Sequence, residues 1–315
     1  MRSKPNLSTD TSLSFWNEGA TKAAILDFVR RVTTQGSPDF VPPSERIATF
    51  DNDGTLWCEQ PNFVQGFFLI DRVKTITAEQ PELAERQPFK AVLENDKPTL
   101  ASFGKKELAV LIFATHTGMT PEEFRAIAQT WFESAMHPRF QRLFRECVYQ
   151  PQLELLDYLR SHGFKTFIVT GGGSGVVRTV AESAYGIPPE QVIGSSSKTA
   201  LEWRDGQPVL VKQPELNSFD DRAEKVVNIE LHIGRRPILA FGNSDGDLAM
   251  LQYTAAGDGP RLALLLHHDD GDREYAYDRD FHLSPLRDAL EEVPKLNGGH
   301  IVSMKQDFKQ VFPFS

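Results

Sequence analysis

The sequence predicts an α/β fold with a parallel sheet that is interrupted, after its first strand, by a mainly helical segment. Short apolar runs alternate with helical patterns along much of the chain, and this alternation is typical of parallel sheets covered by helices on both faces. Between Cys58 and Cys147, in contrast, no strand alternation occurs. Clusters rich in Asp and Gly directly follow two of the apolar runs, where open α/β sheets bind ligands. With 315 residues the chain is long enough for about two domains.

The N-terminal part of the chain predicts an arm, a helix and the first strand. Residues 1–16 are polar and unpatterned, so we expect a loose N-terminal arm. A helix is predicted from Asn17, because apolar residues recur at three- and four-residue spacing until a Gly-Ser-Pro sequence at residues 36–38 would end it. The run Ile47–Phe50 then predicts a short buried strand that ends at Asp51.

The segment after the first strand carries two helix patterns. Thr120-Pro121-Glu122-Glu123 has the spacing of a capping box, with proline at the first helical position. One continuous apolar face follows it, made by Phe124, Ile127, Ala128, Trp131, Phe132 and Ala135. Another helix is indicated nearer the first strand by Phe63, Phe67, Phe68 and Ile70.

Four further buried strands are predicted in the second half of the chain, at residues 164–169, 191–194, 238–241 and 262–266. Leucines at helical spacing precede the first of these strands, and valines at helical spacing follow it. The excursion from Leu201 to Val211, with Asp205-Gly206 in its middle, predicts a β-hairpin.

Composition excludes several functional classes. The net charge of −9 gives no general attraction to nucleic acid or to an anionic membrane, so an anionic substrate would need a local cation such as a metal ion. The longest purely aliphatic run, Leu262–Leu266, is too short to span a bilayer. Cys58 and Cys147 form neither a CxxC pair nor a disulfide framework. The basic start leads into a polar stretch, which predicts a cytoplasmic protein and leaves a processed periplasmic form open.

The sharpest chemical feature is Asp51-Asn52-Asp53-Gly54-Thr55 at the end of the first strand. Alternate residues of an extended chain point the same way, so the carboxylates of Asp51 and Asp53 are expected to lie together. Two such groups can divide the work of nucleophile or metal ligand and of general acid and base. The alternative is a strand-end turn in which Asp and Gly serve only turn chemistry.

Two more strand ends carry polar clusters. Thr170 and Gly171–Gly173 lead into a helix, where a hydroxyl and free backbone N–H groups suit a phosphate, although the glycines do not fit a dinucleotide-binding GxGxxG motif. Residues 242–247 read Gly-Asn-Ser-Asp-Gly-Asp, a second cluster of hard oxygen ligands of the kind that Mg²⁺ prefers. Lys225 heads an amphipathic stretch between them and, taken alone, would be assigned to solvent.

In order and spacing these four segments resemble the haloacid dehalogenase-like hydrolases, and more narrowly the phosphoserine-phosphatase-like branch with a helical cap after the first motif. The resemblance extends from about Asn17 to the end of the chain. It implies a Rossmann-like core formed by residues 17–60 and 148–315 and a helical cap formed by residues 61–147. It also implies Mg²⁺ as the cofactor and a small phosphorylated metabolite as the substrate, while the oligomeric state stays open.

The same resemblance assigns roles to single residues. Asp51 would attack phosphorus to give an aspartyl-phosphate, and Asp53 would be the acid and base, with both residues also on Mg²⁺. Phosphate would be bound by Thr170 and the N–H groups of Gly171 and Gly172, with Thr55 beside them, and Lys225 would neutralise Asp51 and the phosphate.

The chain departs from the family at its fourth motif. Asn243 stands where the family has its first metal-binding carboxylate, so we expect Asn243 and Asp247, with Asp245 third, to complete the metal site. Restoring the charge by Asn243→Asp is then expected to strengthen Mg²⁺ binding.

Glu59 lies close to the position at which phosphoserine phosphatases bind the substrate's amino group, one residue nearer the nucleophile. The alternative is a solvated glutamate at the cap hinge. His116, His137 and Arg139 are expected to be structural or exposed, and His267-His268 is interpreted as a polar strand end.

The predicted function is a Mg²⁺-dependent phosphatase acting on a small phosphomonoester. A dehalogenase of the same fold is disfavoured, because it would not need Asp53 to protonate a leaving oxygen. A catalytically weak or inactive phospho-ligand-binding protein, which Asn243 would suit, and a phosphotransferase are the alternatives.

Overall fold

The computed structural model describes residues 12–314 and places one eight-stranded, mainly parallel sheet at the centre of this part of the chain. The strands are β1 (Ile47–Phe50), β2 (Lys165–Gly173), β3 (Val192–Arg204), β4 (Gln207–Ser218), β5 (Leu239–Gly242), β6 (Leu262–Asp269), β7 (Ala276–Tyr277) and β8 (Gly299–Ser303). Their order across the sheet is β4-β3-β2-β1-β5-β6-β7, and β8 also pairs with β6. The predicted α/β class is confirmed.

Strand β1 is central and fully buried. It pairs in parallel with β2 on one side, Thr49 opposite Phe167, and with β5 on the other, Thr49 opposite Ala240. Strands β3, β6 and β8 extend the parallel part of the sheet outward. The carboxyl ends of β1, β2 and β5 therefore lie side by side at one edge.

The helices are α1 (Ala20–Thr33), α2 (Val64–Glu79), α3 (Phe89–Leu93), α4 (Lys97–Ala101), α5 (Lys105–His116), α6 (Pro121–Phe132), α7 (Gln150–Ser161), α8 (Ser174–Tyr185), α9 (Ala223–Ile233), α10 (Leu248–Ala255), α11 (Asp288–Glu292) and α12 (Met304–Asp307). Among the helices of residues 12–314, none is long and apolar enough to cross a membrane.

Helices α2 to α6 lie between β1 and β2 in the chain, where the sequence predicts a helical cap. They have a small apolar core of their own, formed by Val73, Ile76, Phe89, Val92 and Leu111. The predicted capping box is present: the Thr120 hydroxyl accepts from the N–H of Glu123 (3.1 Å), and the Glu123 carboxylate accepts from the N–H of Thr120 (2.7 Å).

The described part of the predicted N-terminal arm is packed. Residues 1–11 lie outside the described residues, but Leu13 and Trp16 are each 1% exposed. The indole of Trp16 donates to the carbonyl oxygen of Pro151 (3.0 Å), and its ring packs edge-on against Phe308. For residues 12–16 the expectation of a loose arm was wrong, because the isolated apolar residues in this polar stretch insert into the core.

Strand β3 continues well beyond the predicted end at Gly194 and forms a long hairpin with β4. The turn is at Asp205-Gly206, as predicted, and both residues have positive φ (50° and 77°), as a tight hairpin turn requires. The hairpin also contacts the helical segment: the N–H of Gly118 donates to the carbonyl oxygen of Lys212 (2.9 Å), and the N–H of Lys212 to that of Met119 (3.0 Å).

Candidate active site

The candidate site lies at the carboxyl end of β1, between the ends of β2 and β5. Asp51 directly follows β1, and its N–H donates to the carbonyl oxygen of Phe241 on β5 (2.9 Å). Thr170 on β2 and Asn243 after β5 reach the same edge. This is the edge at which open α/β sheets bind ligands.

Helix α9 carries Lys225 into the site, where its side chain is 3% exposed. The ammonium group donates to Asp51 Oδ1 (2.6 Å), Asp247 Oδ1 (2.7 Å) and the carbonyl oxygen of Val169 (2.8 Å). Burial disfavours the charged form, but the attraction of Asp247 and Asp51 outweighs it and raises the pKa of Lys225. A permanent cation therefore lies between two buried carboxylates.

The charged form of Asp51 is disfavoured despite its ion pair with Lys225. Burial and the neighbouring Asp247 raise the pKa of Asp51 well above its ordinary value, although Lys225 acts in the opposite direction. A carboxylate held in this way gains from any further cation or electrophile that approaches its second oxygen.

Asp247 orders the loop after β5. Its Oδ2 accepts from the N–H of Asn243 (2.9 Å) and the N–H of Ser244 (3.0 Å), while its Oδ1 is bound to Lys225. Gly242 is required here, since a Cβ at this position would lie 2.4 Å from the Cβ of Asp247. Both oxygens of Asp247 thus accept hydrogen bonds from the protein, one of them from Lys225, and its role as a metal ligand stays a prediction.

Asp53 is oriented by a residue that the sequence analysis did not identify. The indole N–H of Trp57 donates to Asp53 Oδ1 (2.8 Å). Burial raises the pKa of Asp53 to about 6, against the lowering effects of Trp57 and Lys225. One oxygen of Asp53 is thus held in place by Trp57. With a pKa of about 6, Asp53 can both donate and accept a proton near neutral pH.

Asn243, Thr55 and Glu59 form a buried chain beside Asp53. The Asn243 amide nitrogen donates to Glu59 Oε1 (2.8 Å), and the Thr55 hydroxyl donates to Asn243 Oδ1 (3.1 Å). Tyr277 donates to the same Glu59 oxygen (2.9 Å). Glu59 is 0% exposed, so the alternative of a solvated hinge glutamate was wrong. Burial, then Asp53, raises the pKa of Glu59 well above its ordinary value.

The glycine segment after β2 is partly engaged within the protein. The N–H of Gly172 donates to the Thr170 hydroxyl oxygen (3.0 Å), and the N–H of Gly173 donates to Gln65 Oε1 on α2 (2.8 Å). Strand β2 itself extends to Gly173, rather than ending at Val169 as predicted. Gln65 is a second residue that the sequence analysis missed, because only the fold brings α2 onto this loop.

The Oδ1 atom of Asp245 binds backbone N–H groups at the start of α11. Its Oδ1 accepts from the backbone N–H groups of Arg287 (3.0 Å) and Ala289 (2.9 Å) at the start of α11. Carboxylates at helix N-termini satisfy otherwise unpaired N–H groups. This contact gives Asp245 a structural role at the start of α11, and its role as a third metal ligand stays a prediction.

His268 is more than a polar strand end. It is 1% exposed, and its Nε2 lies 2.7 Å from the carbonyl oxygen of Gly54, while Nδ1 lies 3.1 Å from Glu274 Oε2. Glu274 also accepts from Cys58 Sγ (2.9 Å). A buried network from β6 and the following loop therefore supports the backbone directly after Asp53. His267, in contrast, is partly exposed.

The oxygen atoms at the site suit Mg²⁺, which prefers hard oxygen ligands and keeps several bound waters. Asp51 Oδ2, Asp53 and the amide oxygen of Asn243 are oxygens of the required type, and Glu59 Oε2 is a buried oxygen with no hydrogen-bond partner in the described structure. Across residues 12–314 no group of three or more His, Cys, Asp or Glu has metal-binding geometry.

Comparison with known proteins identifies the family of this chain and solved structures that resemble it. The sequence model of one family, the haloacid dehalogenase-like hydrolases, matches residues 48–252. Curated protein sequences give no significant match.

Among solved structures that are similar to this chain, a conserved protein of unknown function from Anaerococcus prevotii shares the fold (TM-score 0.53, 16% identity, covering 79% of this chain and 86% of the other). Another is a protein of unknown function from Bordetella pertussis (TM-score 0.48, 17% identity, 82% and 98% covered). A third is a phosphoserine phosphohydrolase-like protein from Francisella tularensis (TM-score 0.40, 15% identity, 79% and 98% covered).

Proposed function

Since the chain belongs to the haloacid dehalogenase-like hydrolases, we propose that it is a Mg²⁺-dependent phosphatase that hydrolyses a small phosphorylated metabolite through an aspartyl-phosphate. The observation that carries the proposal is the placement of Lys225 between Asp51 and Asp247, with Asp53 oriented beside them. Phosphoryl transfer depends mainly on positioning and on charge neutralisation, and this arrangement supplies both.

In the first half-reaction, one oxygen of Asp51 forms a bond to phosphorus while the bond from phosphorus to the leaving oxygen breaks. Lys225 Nζ donates to Asp51 Oδ1 at 2.6 Å and so restrains the orientation of the carboxylate. Its charge also offsets part of the negative charge that accumulates on the phosphoryl oxygens. We expect the hydroxyl of Thr170, on β2, to donate to one of those oxygens.

Asp53 supplies the proton that the leaving oxygen needs. A pKa of about 6, raised by burial, keeps a useful fraction of Asp53 protonated near neutral pH. In the second half-reaction the Asp53 carboxylate takes a proton from water. The water oxygen then bonds to phosphorus, the bond from phosphorus to Asp51 breaks, and inorganic phosphate leaves.

Asp51, the backbone carbonyl of Asp53 and Asn243 would hold the metal ion. Mg²⁺, when bound, would stabilise negative charge on the phosphoryl group. Asp247 is assigned to Lys225 and to the loop, as its contacts indicate.

The direct test is release of phosphate from p-nitrophenyl phosphate and from a panel of phosphorylated metabolites, with Mg²⁺ and with EDTA. We expect Mg²⁺-dependent turnover that EDTA abolishes. A protein that binds Mg²⁺ and phosphorylated ligands but turns over none of them would instead be a phospho-ligand-binding protein, the alternative that Asn243 favours. Transfer to an added alcohol in preference to water would identify a phosphotransferase.

A further inference from the structure

We propose that Glu59 and Asn243 together replace a single metal-binding carboxylate. Asn243 supplies the ligand oxygen. Glu59 accepts a hydrogen bond from the amide nitrogen of Asn243, which orients the amide, and supplies the negative charge that the amide lacks. The inference rests on the metal site of the proposed function. It assigns to Glu59 a positioning role toward Asn243, rather than contact with the substrate.

The contacts determine which way the amide faces. Glu59 Oε1 already accepts a hydrogen bond from Tyr277, so it must also be the acceptor in its 2.8 Å contact with Asn243. Only the amide nitrogen of Asn243 can donate there. The amide oxygen is therefore directed to the other side, where the Thr55 hydroxyl contacts it at 3.1 Å. A ligand oxygen with a fixed orientation loses less entropy when a cation binds.

The backbone is shaped around this pair. Gly54 has a positive φ of 72°, and a Cβ at this position would lie 2.1 Å from the Asn243 amide nitrogen and 2.5 Å from Glu59 Oε1. Gly54 therefore lets the catalytic loop pass directly over the contact between the two side chains. The carbonyl oxygen of the same residue lies 2.7 Å from His268 Nε2, and this contact also holds the loop in place.

The cost of burying Glu59 also points to a cation. Its Oε2 is buried and has no hydrogen-bond partner in the described structure, and the side chain is 0% exposed. An unpaired buried carboxylate oxygen is expensive unless a nearby positive charge compensates it. Lys225 is fully committed to Asp51, Asp247 and a backbone carbonyl. A cation bound at the Asn243 oxygen would supply the missing compensation.

This arrangement changes the expectation for Asn243→Asp. The sequence alone suggests that a carboxylate at position 243 strengthens Mg²⁺ binding. In the folded protein that carboxylate would replace an N–H donor 2.8 Å from Glu59 and would meet a like charge. We therefore expect no gain from Asn243→Asp alone, and a gain only when Glu59 is neutralised at the same time.

The experiment measures Mg²⁺ binding by calorimetry, and Mn²⁺ binding by electron paramagnetic resonance, on the unmodified full chain and its variants without substrate. Glu59→Gln keeps an acceptor for Asn243 and Tyr277 but removes the charge, and we expect metal affinity to fall about 10- to 100-fold, as for other residues that orient a ligand. The exchange variant Glu59→Gln/Asn243→Asp should bind the metal more tightly than either single variant and recover to within about threefold of the original protein.

Controls separate this role from a general loss of charge or of folding. Glu94→Gln removes an exposed negative charge at the end of α3 and should leave metal affinity unchanged. Tyr277→Phe removes the other hydrogen bond to Glu59 Oε1 and should have a smaller effect than Glu59→Gln. Metal-free thermal unfolding reports whether each variant is folded.

Three outcomes would overturn the inference: unchanged metal affinity in folded Glu59→Gln, tighter binding in Asn243→Asp whatever stands at position 59, or no metal binding by the original protein. Metal binding that follows the expected pattern in a protein without phosphatase activity would overturn the proposed function alone.

Discussion

Gln65, in the first turn of α2, accepts a hydrogen bond from the backbone N–H of Gly173 at 2.8 Å and so joins the helical segment to the glycine loop of the candidate site. The amide nitrogen of Gln65 is buried and has no partner among the described residues. A Cβ on Gly172 would lie 2.3 Å from that nitrogen and 3.3 Å from Asp53 Oδ2, which places the Gln65 amide close to the proposed acid and base.

Gln65→Leu should therefore reduce kcat/KM by about 10-fold or more, the effect expected when a positioning residue of the reacting groups is lost. Steady-state kinetics with p-nitrophenyl phosphate measures it. Gln80→Leu, an exposed change just beyond the other end of α2, is the matched control and should leave kcat/KM unaltered. Equal kinetics for both variants would show that the contact with Gly173 does not matter for turnover.

Asp51→Asn should abolish turnover without destabilising the fold. The amide lacks a nucleophilic oxygen anion, and the raised pKa of Asp51 shows that the folded protein disfavours its charge. Phosphate release and urea unfolding should be measured on the same preparation. Near-normal turnover would mean that Asp51 is not the nucleophile.

Asp53→Asn should slow hydrolysis by about 10²–10⁴-fold, with the larger loss for alkyl phosphates. The reason is that an alkoxide needs a proton to leave, whereas p-nitrophenolate leaves without one. The ratio of the rates for an alkyl phosphate and p-nitrophenyl phosphate is the measurement. A ratio that stays the same in the variant would argue against Asp53 as the general acid.

Lys225→Met should destabilise the protein by about 3–5 kcal/mol, the usual cost of removing one partner from a buried ion pair. It leaves Asp51 and Asp247 buried with no cation between them. Adding Asp247→Asn to Lys225→Met should recover part of the stability but none of the activity. Urea unfolding at neutral pH gives the comparison, and stability unchanged in Lys225→Met would contradict the assigned pairing.

The pH dependence of stability should contain a contribution from His116. Burial, then Lys212, lowers the pKa of His116 from 6.5 to about 4 in the folded protein. Between these two values the unfolded chain binds more protons than the folded one, so this contribution is complete above pH 6.5 and is lost as the pH falls toward 4. It amounts to at most about 3 kcal/mol. His116→Gln should be less sensitive than the original protein to acid over this range, as measured by urea unfolding at a series of pH values. Identical pH profiles would contradict it.

The sequence was sufficient to predict those strands and site residues that depend on local apolar patterns and on the order of segments along the chain. Strand β1 was predicted at the observed residues, and β5 (Leu239–Gly242) begins one residue later than predicted. The order of strands then places Asp51, Thr170 and Asn243 at one edge, and the fold brings Lys225 to Asp51 as the family resemblance implied.

What the sequence could not supply depends on contacts between distant segments. No sequence motif marks Gln65, Trp57 or His268, and only the folded structure shows which atoms each side chain contacts. The roles within residues 242–247 were similarly hidden, because spacing alone does not show which oxygen of Asp245 or Asp247 is already bound to backbone N–H groups. The extension of β3 was missed since its residues 195–197 are all serine and show no apolar alternation.

The backbone pairing of Lys212 with Gly118 and Met119 has a consequence for exchanging parts between relatives. A graft that transplanted only the helical segment would leave the N–H of Gly118 and the carbonyl oxygen of Met119 facing a foreign hairpin. A foreign hairpin that does not match would remove both hydrogen bonds between the two segments, so the hairpin and the helical segment should be transferred together. In protein engineering, the unit that can be swapped is therefore discontinuous in the chain, combining residues 64–132 with residues 192–218.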